Sequence, residues 1–283
     1  MDLRIIAMKP IYRLAPWVAE RFDKLNWSSL SANPRAISLL SEFPDMIDWK
    51  RLSSNPNAME LLLANFDKVD LCEFSKNPSA IDYLKKHPEL INWHSLSKNS
   101  SAIDLILANP DKVDSHQLCL NTHPDAFKLL LKRNKRNKKS INWANLSTNP
   151  VAIEYLQKNI YKINWTSLAS NPEAMYVIVD YDIHFISPEY ISRNPAAIDY
   201  LRENPELIHW RNLSGNPAAI EILKENPEKV DYSALSANPS IFHLDYEKMR
   251  MNFQPIADEI FAISLCPERV SKYRDMGYGY EDW

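Results

Sequence analysis

Eight consecutive residues, Lys132-Arg133-Asn134-Lys135-Arg136-Asn137-Lys138-Lys139, hold six cations. A block of like charge of this kind can bind a phosphate, an acidic protein surface or a nuclear import receptor, or simply stand in solvent. The whole chain carries a net charge of −3, and setting the six cations Lys132, Arg133, Lys135, Arg136, Lys138 and Lys139 aside leaves about −9. They read as an isolated positive loop on an acidic body. A second set with chemical reach is aromatic: Trp27, Trp49, Trp93, Trp143, Trp165 and Trp210 recur at equivalent places. Such rings could stack on bases or sugars, but each is followed three residues on by Leu, a helical spacing that points to core packing. The third set closes the chain, where Tyr278, Tyr280 and Trp283 stand among Gly277, Gly279, Glu281 and Asp282. That segment reads as a docking tail or as a packed end.

Other chemistries are not written in the sequence. His87, His123 and His209 replace helix-capping residues and form no metal-ligand set. Cys72, Cys119 and Cys266 lie far apart without a C-x-x-C pair, which suits reduced structural thiols. Three glycines, Gly215, Gly277 and Gly279, cannot build a phosphate-cradling loop or a dinucleotide turn. The acids recur from unit to unit as helix-start residues, whereas a general acid and base would stand out as departures. We therefore assign no catalytic residue, cofactor or metal, and expect a protein without enzymatic activity. No run of about 18 apolar residues is present, so no membrane span is expected. Leu3 to Pro10 is too short and interrupted for a signal peptide, and a soluble intracellular protein is expected.

What positions these residues is a repeat of 22 residues, N-P-x-A-I-x-x-L-x-x-N-P-x-x-I-x-W-x-x-L-S-x. Nine complete copies open at Asn33, Asn55, Asn77, Asn99, His123, Asn149, Asn171, Asn194 and Asn216. A half copy stands at each end, Leu25 to Ser31 before the first and Asn238 to Ile241 after the ninth. Asn can cap a helix and Pro suits its first position. Ala80, Ile81 and Leu84 then follow at helical spacing. A second start falls at the inner Pro, as in Pro88 with Glu89, and a third at the Asn or Asp before each Trp. Each unit thus reads as an Asn-Pro helix of about two turns, one helical turn and a second short helix. Helices this short are marginal alone and must stack. The expected fold is all-α: an α-solenoid of about nine repeats, its units spanning on the order of 80 to 90 Å at the usual helix-packing distance. The expected divisions are an N-terminal cap at 1–24, the array at 25–241 with an insertion at about 132–139, and a C-terminal cap and tail at 242–283. In that cap, Pro255 to Leu265 and a segment opening at Pro267 read as helices. The seventh unit is irregular, with Tyr181 to Phe185 in place of its inner Pro segment and Pro188 opening the next helix.

The run Leu213-Ser214-Gly215-Asn216-Pro217-Ala218-Ala219-Ile220, with Asn226 to Asp231, resembles the Asn-Pro repeat proteins of giant nucleocytoplasmic DNA viruses. The ending Cys266-Pro267-Glu268-Arg269-Val270 with Asp275 to Tyr278 is similar to theirs as well, and the likeness covers about residues 25 to 283. It departs in the basic insertion and the broken seventh unit. The resemblance implies a viral setting, in the particle or in the host cytoplasm, and brings no activity or functional residues with it. The expected partners are other proteins, either virion subunits or host proteins. A nucleic-acid reader would need a basic stripe along the whole stack, and an acidic body with one basic segment argues against it. Oligomeric state is left open.

Overall fold

The computed structural model describes residues 10–137, 140–180, 186–264 and 266. The third complete repeat shows how the punctuation works. Asn77 is extended, and its Oδ1 accepts from the Ser79 N–H at 2.9 Å. Pro78–Ala80 is a 3-10 turn, closed by the Ala80 N–H bonding the Asn77 carbonyl at 3.2 Å, and it runs into the α-helix Ile81–Lys86. The expected two-turn helix is thus a tight turn followed by an α-helix. Pro88–Leu90 forms a second 3-10 turn, and Asn92 caps the helix Trp93–Leu96 by accepting from the Ser95 N–H. Ala80, Ile81, Leu84 and Leu96 are buried. The fold is an all-α repeat array, and its one described sheet has two strands.

The opening asparagine does more than cap. Its Nδ2 donates two hydrogen bonds to the preceding repeat: Asn77 reaches the carbonyls of Ser53 at 3.1 Å and Asn55 at 2.8 Å. The same pair of bonds is made by Asn55, Asn99, Asn149, Asn171, Asn194, Asn216 and Asn238. A second ladder runs beside it, in which the serine after the recurring Leu accepts from the cap N–H of the next repeat. Ser53 accepts from Asp70 and Ser75 from Asn92, both at 3.0 Å. Cys119 takes the serine's place with its Sγ 3.4 Å from the Asn142 nitrogen, and Ala169 leaves one rung without a hydroxyl.

Both ladders close. Asn33 donates to the carbonyls of Ser236 and Asn238, each at 3.0 Å, and the Asn26 N–H bonds Ser236 Oγ at 2.8 Å. Arg35 Nη1 adds bonds to the Pro239 and Phe242 carbonyls. The array, read from its sequence as nine stacked units between two half copies, is therefore a closed circuit. The two half copies are one tenth repeat: Asn238 to Ile241 supplies its opening turn, while Pro16–Ala19, Phe22–Lys24 and Trp27–Ala32 supply its helix, second turn and last helix. Residues 14–24, expected in a terminal cap, belong to this repeat. A span of nine stacked units does not apply to an array whose first and last repeats are bonded.

The fifth repeat also differs from its expected start. Asn121, not His123, holds the ladder position, donating to Ser97 and Asn99 carbonyls at 3.0 and 3.1 Å. His123 opens the helix that follows. In the seventh repeat, Tyr181 to Phe185 lie outside the described residues, and Pro188 opens the helix Pro188–Ile191 as expected. The ladder absorbs the extra residue there, since Asn194 still reaches Ala169 and Asn171.

The chain divides into two compact units, Leu14–Phe242 and Met1–Arg13 with His243–Trp283. Strands β1 (Tyr12–Leu14) and β2 (Phe242–Leu244) pair. They run antiparallel, as the bonds from Ala15 N–H to the Ile241 carbonyl and from Asp245 N–H to the Ile11 carbonyl require. In the smaller unit, Asp245 Oδ1 accepts from the Lys248 N–H, and the helix runs from Tyr246 to Ser264. It starts nine residues earlier than expected, so Pro255 lies inside it. The helix expected from Pro267 lies outside the described residues.

Candidate interaction surfaces

The basic segment is mostly helix rather than loop. Pro124–Arg136 forms one α-helix: His123 Nδ1 accepts from the Asp125 N–H, Pro124 occupies the first position, and Ala126 and Leu130 are buried. Arg133, Lys135 and Arg136 fall in its last turn, where cations suit the helix dipole. That favourable end explains why the helix runs on into residues expected to be a loop. Arg133 is not a free cation, for its Nη1 donates to the Val113 carbonyl at 2.9 Å. Lys132, Lys135 and Arg136 are exposed, while Lys138 and Lys139 lie outside the described residues. So do Tyr278, Tyr280 and Trp283.

The tryptophans are not core. All six repeat-position indoles are half-buried, and the fully buried positions belong to the Leu three residues on. Four of them carry a lysine ammonium from the following repeat: Lys68 lies 4.5 Å from the Trp49 ring centre, Lys112 5.0 Å from Trp93, Lys162 5.0 Å from Trp143 and Lys229 4.7 Å from Trp210. Lys24 over Tyr232, at 5.3 Å, repeats the arrangement across the closing junction. An ammonium over a ring face is a favourable pairing, so these rings already hold cations. The helical spacing was legible, but it does not separate a buried ring from one roofed by a neighbour's lysine.

Two bands of exposed acids follow the repeat. One is the fifth residue after the ladder asparagine, as Glu60, Asp82, Asp104, Glu154, Asp199 and Glu221. The other is the twelfth, as Asp45, Asp67, Glu89, Asp111, Glu206 and Glu228. Each sits in the first turn of a helix, which the dipole accounts for. Tyr161 and Tyr176 depart from these bands: Tyr161 takes the twelfth place in the sixth repeat, and Tyr176 takes the fifth place in the seventh. Tyr161 is as exposed as in an extended chain (102%), Tyr176 is 49% exposed and Val179, one turn on, is 57%. Comparing the repeats position by position marks these residues in the sequence. Helical spacing and start signals do not mark them, because an exposed position of a short helix accepts a tyrosine as readily as an acid.

The caps carry the clearest electrostatics. Burial pushes the Asp114 carboxyl up, but the N–H groups of Gln117 and His116 and the nearby His94, 3.1 Å away, outweigh it and hold its pKa below the ordinary carboxylate value. Asp48 follows the same course, with Ser28 and the Arg51 N–H outweighing burial. A lowered native pKa contributes stability above the unfolded value of about 3.9, and that contribution is lost as pH falls through the native value. Asp48→Asn with Asp114→Asn keeps a capping side chain and removes the titration. The double variant is expected to be less stable than wild type at neutral pH, where the two carboxylates are ionised, and to approach it on acidification, read from urea midpoints across the acid range. Greater acid loss in the variant would contradict this assignment.

Among the described residues, no helix is long and apolar enough to cross a membrane, and no group of three or more His, Cys, Asp or Glu could hold a metal ion. Comparison with protein-family models, curated proteins and solved structures returns no match for this chain.

Proposed function

We propose that the chain is a non-enzymatic scaffold that binds other proteins on its exposed repeat surfaces, as a minor structural component of a giant DNA virus particle. The closed asparagine ladder carries the first part of this reading. Each opening asparagine bonds two main-chain carbonyls of the preceding repeat, and Asn33 does the same across the junction of the first and last repeats, which favours a rigid body. Rigidity lowers the ordering cost of a partner's binding. Exposed positions that vary between repeats, such as Lys132, Lys135, Arg136, Tyr161 and Tyr176, then give the body distinct faces. The viral setting rests on the resemblance of the Leu-Ser-x-Asn-Pro-x-Ala-Ile run and the chain's ending. With its first and last repeats bonded, the array has no free repeat end for stacking on a neighbour, so contact falls to its sides.

Quantitative mass spectrometry of purified particles, with the major shell protein as reference, tests the reading. A fixed ratio to the shell protein is the expected result. Absence from particles together with strong expression in infected cells would replace it with a host-directed adaptor.

A further inference from the structure

We propose that the junction of the sixth and seventh repeats is a docking site for an arginine- or lysine-rich protein segment, held by the rings of Tyr161 and Tyr176 and the carboxylates around them. The proposal rests on the scaffold reading and names a face and a class of partner for it. The repeats provide an internal comparison. Asp45, Asp67, Glu89, Asp111, Glu206 and Glu228 hold the place that Tyr161 takes, so solvent exposure there ordinarily goes with a charge. A fully exposed phenol gains nothing for the fold, because burial is what makes an aromatic ring stabilising. Tyr176 and Val179 extend the departure into the next helix, Met175–Asp180.

The two rings belong to one junction. In the second and third repeats, the eleventh residue after the ladder asparagine meets the sixth residue of the next unit, Phe66 on Tyr83 at 5.5 Å. The corresponding positions hold Ile160 and Val177, and Tyr161 and Tyr176 each stand one residue from them in the chain.

Charge selects the partner. Glu154, Glu173, Asp199 and Glu206 are exposed on the sixth, seventh and eighth repeats. Of the nearby cations, Lys162 lies over the Trp143 ring, Arg193 lies 5.8 Å from the Tyr190 ring centre and Arg202 pairs with Glu225 at 3.3 Å, while Lys158 is exposed. The molecule also shows what it sets on an aromatic face, since five rings carry a lysine ammonium from the following repeat. Tyr161 offers the same kind of ring, and no lysine among the described residues lies over it. A guanidinium or ammonium on a partner segment can lie over it while neighbouring cations meet the carboxylates.

The test sets aromatic docking against bulk charge. The full chain is titrated against a fluorescent peptide of alternating arginine and leucine, with the glutamate-for-arginine peptide as control. Tyr161→Asp with Tyr176→Glu restores the repeat pattern and makes the surface more acidic. Attraction by net charge alone would tighten binding to this variant, whereas docking on the rings weakens it by about tenfold. Tyr161→Phe with Tyr176→Phe is expected to bind as wild type does. Unchanged or tighter binding by the acidic variant, or no binding of the arginine peptide by wild type, overturns the proposal. Either failure leaves the scaffold reading to be decided by the particle stoichiometry. Matching denaturation midpoints for all three proteins exclude misfolding as the cause.

Discussion

Asn33→Ala is expected to lower the unfolding free energy as much as Asn77→Ala, by about 3 kcal/mol in each case. Asn77 is fully buried, and removing its Nδ2 strips the Ser53 and Asn55 carbonyls of their donor. Each lost bond costs about 1 kcal/mol, and carbonyls left unsatisfied in a buried place add to it. Asn33 is equally buried, and its acceptors are the Ser236 and Asn238 carbonyls at the other end of the array. In an open stack Asn33 would stand in the first repeat with no neighbour to bond, and its amide would contribute little. The comparison therefore reads closure directly from urea denaturation of two single variants. A loss at Asn33 far below that at Asn77 would show that the first and last repeats are not joined in solution.

Much of the repeat was legible because its signals are local. Pro after Asn, Ala-Ile-x-x-Leu spacing and a capper before each Trp announce helices whatever surrounds them, and these helices are present. Closure was not legible, although both halves of the tenth repeat were. Leu25 to Ser31 and Asn238 to Ile241 match opposite parts of one unit, but nothing in local propensity says that ends more than two hundred residues apart will meet. That outcome depends on the angle between successive repeats, which packing sets. The fifth repeat was misplaced for a related reason. His123-Pro124 has the stronger local start signal, while Asn121-Thr122 keeps the 22-residue spacing from Asn99. The structure resolves this in favour of the ladder, because only an asparagine amide can donate to both carbonyls of the preceding repeat while accepting from its own chain.

That requirement makes Asn77→Asp more damaging than Asn77→Ala, though it changes the side chain least in size. One carboxylate oxygen can still accept from the Ser79 N–H, as Asn77 Oδ1 does at 2.9 Å. The other takes the place of Nδ2, facing the Ser53 and Asn55 carbonyls with lone pairs and a charge in a site closed to water. A buried charge set against acceptors costs about 3 to 5 kcal/mol. The folded protein relieves this by holding the proton, so the new carboxyl has a native pKa above its unfolded value of about 3.9. The sign is then opposite to that of the capping aspartates. The deficit relative to wild type is complete above the raised native pKa and shrinks as pH falls through it, because the protonated acid can donate to one carbonyl. It does not vanish, since the second carbonyl stays without a donor. Urea midpoints of variant and wild type, compared at the same pH from neutrality down to about pH 5, are expected to converge. A pH-independent deficit would mean that the side chain had swung into solvent, and that the amide does not hold its ladder place as tightly as the two bonds imply.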